Sequence, residues 1–290
     1  MHGMSDAMLA MMYTITGCFV VAFSQLTGKM ASDRIHPIFV CGLRFGLAAP
    51  LCYGVAVYQT GSWRLALSWQ LFLIIGGIGI LAWGGGALLF YTLMSRDSMH
   101  RIAPICNSVS IWTVALAIFF LGEPFFPALA VVLVLLAIGI VFITPSHADT
   151  KRWGPAIPLA LLVALMWAIN LILTKVFVGD VARPVFVLVK MIWATGFHLT
   201  FFPVIKSRIT RNGALFCLIS AVLLVPGDIL LMMGVNGLPA SIFSPVFATV
   251  IPFGFILSVI ILKERPMARN WFGMLLIFAA AAICGFYGAR

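Results

Sequence analysis

Three ionisable side chains stand inside apolar runs, where a charge is costly and is a functional candidate by default. Asp228 follows Pro226-Gly227 in the middle of one such run. A carboxylate there could bind a proton or cation, or face the amine of a substrate; a local helix break at Pro226-Gly227 would add freed backbone carbonyls beside it. The competing reading is a structural ion pair or hydrogen bond to a neighbouring helix. Arg44 lies seven residues beyond Pro37 and Lys190 six beyond Pro184, about 10 Å and about 9 Å into their runs by helical rise. Both could hold a substrate carboxylate. Both could instead extend their long stems to the membrane surface. Glu123 and Glu264 fall at the ends of runs, in corresponding turns, and read as topology and packing elements.

Other chemistry finds little support. The histidines His2, His36, His100, His147 and His198 are dispersed. Cys18, Cys41, Cys52, Cys106, Cys217 and Cys284 all lie in apolar runs without a CxxC or Cys/His pair. We therefore expect no metal site and no cofactor. No Walker-type Gly-Lys-Ser/Thr sequence occurs, which argues against nucleotide as a direct driving force. An intramembrane transferase would need His, Asp or Glu clustered at one membrane face, and the residues do not cluster in sequence.

The elements that position these groups follow from composition. Of 290 residues, 63% are hydrophobic and 9% charged, and mean hydropathy is +1.14. Soluble domains are about 45–50% apolar and about 25% charged, so most of this chain faces lipid. Each crossing helix takes about 20 residues, and ten of them would leave roughly 90 for connections. The fold class expected is an all-α polytopic membrane protein. The formal charge is +10, but the basic residues sit singly or in pairs between apolar runs. They read as loop charges that orient the chain and meet anionic headgroups, not as a nucleic-acid surface. The first residues, Met1 to Ala7, carry no positive n-region, so no cleavable signal peptide is expected.

Apolar runs give ten candidate spans, roughly 8–28, 36–58, 69–92, 101–121, 127–145, 155–177, 184–205, 213–234, 239–262 and 270–288. Several begin at or just after proline (Pro37, Pro127, Pro155, Pro184, Pro239), which suits a first helical turn. The spans repeat. Pro104 precedes Leu121-Gly122-Glu123-Pro124, and Pro245 precedes Leu262-Lys263-Glu264-Arg265-Pro266, with 19 residues from proline to glutamate in both. Upstream, Gly28-Lys29 and Pro37-Ile38-Phe39-Val40 answer Thr174-Lys175 and Pro184-Val185-Phe186-Val187, with one residue of slippage. Two five-span units result, over 1–146 and 147–290. Five is odd, so the second unit enters the membrane from the opposite side. Inverted repeats are the architecture of many secondary transporters, with the site near the midplane between the copies. In the third span, Gly76-Gly77, Gly79 and Gly84-Gly85-Gly86 read mainly as surfaces for close helix approach. They also read as a hinge or a backbone surface facing substrate, matched in the second unit by Val225-Pro226-Gly227.

These residues resemble the drug/metabolite transporter superfamily, in its ten-span form with two EamA units. The Lys29, Pro37 and Arg44 run, the Leu-Gly-Glu-Pro after Pro104 and the Leu-Lys-Glu-Arg after Pro245 carry the resemblance, which spans both halves. In the second half, Met191 stands where Arg44 stands in the first, with Lys190 beside it. The resemblance implies ten transmembrane helices as two inverted five-helix repeats, with the second and seventh spans outside a central cavity, so that anchoring is the favoured reading of Arg44 and Lys190. It implies a cavity lined by the first, third, fourth, sixth, eighth and ninth spans, whose polar and aromatic residues are Gln25, Trp83, Tyr91, Asn107, Trp167, Asn170 and Asp228. The expected activity is secondary active export or exchange of a small polar metabolite such as an amino acid, by alternating access and with proton or cation coupling. The expected location is the inner membrane of a bacterium, with lipid around the chain. The alternative is a membrane assembly partner that transports nothing. Orientation divides the two lines of argument. The resemblance implies both termini inside, whereas the basic residues number four on the side of the termini and twelve on the other. We follow the charge count, which places both termini outside.

Overall fold

The computed structural model describes residues 6–97, 99–144, 156–205 and 208–288. Lys151, Arg152, Pro155, Lys206, Arg290, His2 and His147, used in the sequence reading, lie outside the described residues, as do the side chains of His100 and Arg101. Among the described residues, ten helical segments follow one another and no strand occurs. They are α1 (Asp6–Ser32), α2 (Pro37–Thr60), α3 (Trp69–Met94), α4 (Met99–Cys106 continued by Val109–Leu121), α5 (Pro127–Ile143), α6 (Ala156–Phe177), α7 (Arg183–Leu199), α8 (Arg211–Gly237), α9 (Ala240–Phe247 continued by Val250–Ile261) and α10 (Ala268–Gly288). Eight are long and apolar enough to cross a membrane. The other two, α5 and α7, have 17 residues each, about 25 Å of rise against a hydrocarbon core of about 30 Å. The run expected over 184–205 ends at Leu199, and residues 200–204 form turns. Pro203 disfavours a helical residue before it and offers no N–H to continue the ladder.

Local sequence sets the ends. His36 accepts a bond from Ile38 N with Pro37 opening α2, Ser68 caps α3 through Leu71 N, and Thr210 caps α8 through Gly213 N. The two Pro-to-Glu units end alike: Gly122 and Lys263 both adopt positive φ, +66° and +55°. Glycine takes that left-handed turn freely, whereas lysine there costs about 1–2 kcal/mol. The second copy tolerates it because the following glutamate is needed where the turn puts it. Glu123 accepts from Ala240 N (2.7 Å), Ser241 N (2.8 Å) and Ser241 Oγ (2.5 Å), capping the start of α9. Glu264 accepts from Met99 N at 3.1 Å, at the start of α4. Each repeat thus caps a helix of the other. Both α4 and α9 are interrupted two residues past their internal prolines, after Cys106 and Phe247.

The repeats pack about a pseudo-twofold axis that pairs α2 with α7, α4 with α9 and α5 with α10, and crosses α1 over α8 and α6 over α3. The α1–α8 seam is built from small residues, as close helix packing in lipid requires. A Cβ added to Gly234 would strike Thr14 Oγ1, and one on Gly227 would lie 2.8 Å from Val21 Cγ2. Midway, Ser24 Oγ donates to Ser220 O and Ser220 Oγ donates to Ser24 O, both at 2.7 Å. In α5–α10, a Cβ on Gly273 would lie 2.5 Å from Gly139 O. Arg269 and Asn270 close that pair by donating to the last carbonyls of α5.

Candidate functional site: a cavity between the repeats

The triple glycine of α3 produces the first departure from a plain helix. Ile80–Gly86 is wound as a π-helix, a form found at helix bulges near functional sites. Its glycines meet the second repeat: added Cβ atoms on Gly84, Gly85 and Gly86 would lie 3.1 Å from Phe197, 2.8 Å from Met166 and 2.9 Å from Trp167 Nε1. Ala82 O, which accepts the backbone N–H of Ala87 at the end of this segment, also accepts Trp167 Nε1 at 3.0 Å. The glycines therefore serve close approach to α6 and α7. The expected break at Pro226-Gly227 does not occur, and α8 runs unbroken from Arg211 to Gly237 with Pro226 inside it. A lone proline removes one N–H from the ladder, and the close seam with α1 holds the turns on either side.

Between the repeats lies a cavity of about 840 Å³ of atom-free space, counting its mouth. Gln25 from α1, Trp83 and Tyr91 from α3, Trp167 and Asn170 from α6, and Asp228 from α8 all line it. Asn107 does not. It sits at the interruption of α4, where Nδ2 donates to Ala103 O at 2.9 Å, so its amide is turned back on its own helix; Val109 represents α4 in the wall instead.

The second correction concerns α2 and α7. Arg44 and Lys190 reach the cavity wall and are 5% and 1% exposed; neither extends to a membrane surface. Arg44 donates to Ser24 Oγ at 2.9 Å, and Lys190 donates to Asn170 Oδ1 at 2.8 Å. Both bonds span 20 residues of chain, and both run from the second helix of a repeat to its first. The structural equivalent of Arg44 is therefore Lys190, and Met191 is a core residue. The one-residue slippage before the proline hid this pairing. The equal spacing from Ser24 and Asn170 was the signal that could have found it.

The cations rest on aromatic faces. Lys190 Nζ lies 4.3 Å from the Trp83 ring centre, and the Arg44 guanidinium lies 5.3 Å from that of Tyr91 and 5.5 Å from that of Phe45. Asp228 is 8% exposed, and its Oδ2 has no hydrogen-bond partner. Lys190 and Arg44 are the charges that act on it, yet neither forms an ion pair with it within 4.0 Å among the described residues. Apart from Thr174 the rest of the wall is apolar, with the rings of Phe45, Phe90, Phe243 and Phe247 among aliphatic side chains. Among the described residues no group of three or more His, Cys, Asp or Glu is placed to hold a metal.

The two ends of the cavity differ. At one end Tyr91 packs onto Gly28 so closely that an added Cβ would lie 2.4 Å from its hydroxyl oxygen. At the other, the wall reaches Thr174, Val235 and Phe243, near the ends of α6 and α8 and the start of α9. There Lys175 Nζ donates to Val235 O and Leu238 O, each at 2.8 Å, so a cation closes the carbonyl end of α8. This end lies on the same side as the start of α1, since Gly237 packs against Ala10.

The sequence matches the model of the EamA-like transporter family twice, over residues 8–144 and 154–286. The chain belongs to the EamA-like transporter family. It is thus a multi-pass integral membrane protein of the drug/metabolite transporter superfamily, in a family of small-molecule transporters. No curated protein matches it. Among solved structures, one described as the crystal structure of a protein aligns over 97% of this chain and 99% of its own, with a TM-score of 0.77 at 15% identity. At that identity the likeness concerns the fold alone. The two matched stretches coincide with the two sets of five helices whose faces enclose the cavity.

Proposed function

We propose that this EamA-family chain is a secondary transporter of a small polar metabolite such as an amino acid, working by alternating access through the cavity between its repeats. The observation that carries the reading is the set of buried ionisable groups at the repeat interface. Arg44, Lys190 and Asp228 come from α2, α7 and α8 and face one aromatic-walled space without pairing among themselves. Purely structural charges in a membrane interior pair with one another or stay absent, because each unpaired one costs several kcal/mol. A polar solute that enters this space would supply the missing partners. Trp83, Phe90 and Trp167 would hold its apolar part, as small-molecule sites commonly do.

The pseudo-twofold packing supports the rocking step. In the present arrangement the Tyr91–Gly28 contact seals one end, and the matching positions in the second repeat, Met232 and Thr174, line the cavity. Exchanging the conformations of the two repeats would open the first end and close the second. With the termini outside, as the basic residues suggest, the present cavity would face outward. Net export or exchange would then need the opposite state to load solute from the cytoplasm. A coupling proton or other cation would bind at Asp228 in the half-cycle without solute.

A thermal-stability screen of the purified chain against amino acids, amines, nucleobases and sugar phosphates tests this reading. A ligand that binds the native state raises apparent stability by mass action. One chemical class should give a saturable rise that shrinks in Asp228→Asn and Trp167→Ala. A class whose rise is untouched by both substitutions would bind elsewhere and count against the cavity.

A further inference from the structure

The charges around the cavity do not balance, and the imbalance specifies the solute. Two cations and one carboxylate face the same space, leaving one positive charge in excess. Arg44 Nε has no partner, and one terminal nitrogen of its guanidinium donates to Ser24 Oγ. Lys190 Nζ sits over the Trp83 ring and directs one bond to Asn170, which leaves further N–H donors of the ammonium unused. The titratable and charged groups that line the cavity with Asp228 are Arg44 on α2, Lys190 on α7 and Tyr91 on α3, while Cys52 on α2, close enough to interact with Asp228 electrostatically, donates its thiol to Pro184 O. Gln25 on α1, Asn170 and Thr174 on α6 and Phe243 on α9 complete the lining used here, and none of these four titrates. Among the described residues no second carboxylate lines the wall to offset the extra cation.

We infer that the cavity selects an organic monoanion, with its carboxylate held between Arg44 and Lys190 and an apolar, preferably aryl, body against the aromatic wall. This rests on the transport reading and, among the small polar metabolites it covers, puts a monoanion ahead of an amino acid at the same site. A monoanion brings the enclosed charge to zero. A zwitterion leaves it at one positive, and an amine raises it to two. A dianion overshoots, and Asp228 repels the second charge. The carboxylate of Asp228 therefore acts as the selective element against dianions, an unfavourable contact built in for the wrong solute. The aromatic rings beneath both cations offset part of their burial cost while the space is empty, and the solute carboxylate supplies the remainder.

Four probes share one aryl group and differ in charge: 3-phenylpropionate, phenylalanine, phenethylamine and phenylsuccinate. Binding of each to the purified full-length chain at neutral pH, measured by titration calorimetry, should place 3-phenylpropionate first by at least about tenfold, one decade being 1.4 kcal/mol. Arg44→Gln and Lys190→Gln should each reduce that affinity by about tenfold or more, with Arg44→Lys recovering part of it. Asp228→Asn removes the repulsion and should turn the preference toward phenylsuccinate. Helical circular dichroism and a single chromatographic peak are required of each variant before titration. Preference for phenethylamine or phenylalanine overturns the inference, and so does failure of all four probes to bind. So does an Asp228→Asn chain that still rejects the dianion. Such results leave the transport reading standing, since flux of some other solute through the cavity is measured separately in proteoliposomes.

Discussion

Replacing Gly28 with alanine should open the sealed end of the cavity. The added methyl would sit 2.4 Å from Tyr91 Oη and 2.6 Å from two ring carbons, against about 3.5–4.0 Å for ordinary contact. The ring must therefore move by about 1 Å in a position that is fully buried. Overpacking of this kind costs about 1–3 kcal/mol. The alanine also gains about 1 kcal/mol in helix propensity, but it does so in every conformation in which α1 is helical, so that gain cancels between states. A penalty confined to the state sealed at Tyr91 shifts its balance with the opposite state by about 5–150-fold. Spin labels at Arg34 and Arg96, exposed just beyond the ends of α1 and α3, report the change by pulsed dipolar spectroscopy. A longer-distance population should rise in Gly28→Ala, and adding Tyr91→Ala should leave Gly28→Ala without further effect. An unchanged distance distribution together with a lower melting temperature would refute the reasoning. It would mean that Tyr91 on Gly28 is fixed packing and takes no part in an opening equilibrium.

Glu123→Ala removes three hydrogen bonds from the start of α9 and should cost about 2 kcal/mol, at the upper end for a helix cap; thermal unfolding of the purified chain checks it, and Glu123→Gln should recover part of the loss. Lys175→Met strips the donor from Val235 O and Leu238 O and should raise the hydrogen exchange of the last turn of α8, read by mass spectrometry, while the α1–α8 seam stays protected. A single cysteine at position 208, in a chain whose native cysteines are replaced, should react with a membrane-impermeant maleimide only from the cytoplasmic side if the termini are outside.

The fold was legible because its main signals are strong in any single sequence. Long apolar runs fix the helices, and the matched spacing of Pro104 to Glu123 and Pro245 to Glu264 fixes the repeat. The short α7 was misread at its end because the apolar residues continue past Leu199, although Pro203 already forbids the helix. The π-turn at Ile80–Gly86 was invisible in a different way: the glycines announced a weak point, but its form depends on Trp167 and Phe197 from the other repeat. Pro226-Gly227 gave the same signal without a break, because Gly227 is locked against Val21. For the cavity, the resemblance supplied the lining helices, and the polar and aromatic residues in the first, third, sixth and eighth then followed from their type. Asn107 failed because an amide near a helix interruption has its own backbone to satisfy. Arg44 and Lys190 read as anchors because the resemblance places their spans outside the cavity, and depth along a helix says nothing about which face a side chain takes. That depends on the crossing of α2 with α7, a long-range contact with no local trace in sequence.

The central claim is that solute crosses through the space between the repeats. Solute counterflow in proteoliposomes tests it with Ala87→Trp, which places a large ring into the cavity wall on α3, and with Val131→Trp, which places the same ring on the exposed outer face of α5. The account predicts that Ala87→Trp abolishes counterflow of the solute identified by the stability screen while Val131→Trp keeps it, both chains remaining helical and monodisperse. Counterflow that survives Ala87→Trp at the wild-type rate would contradict it.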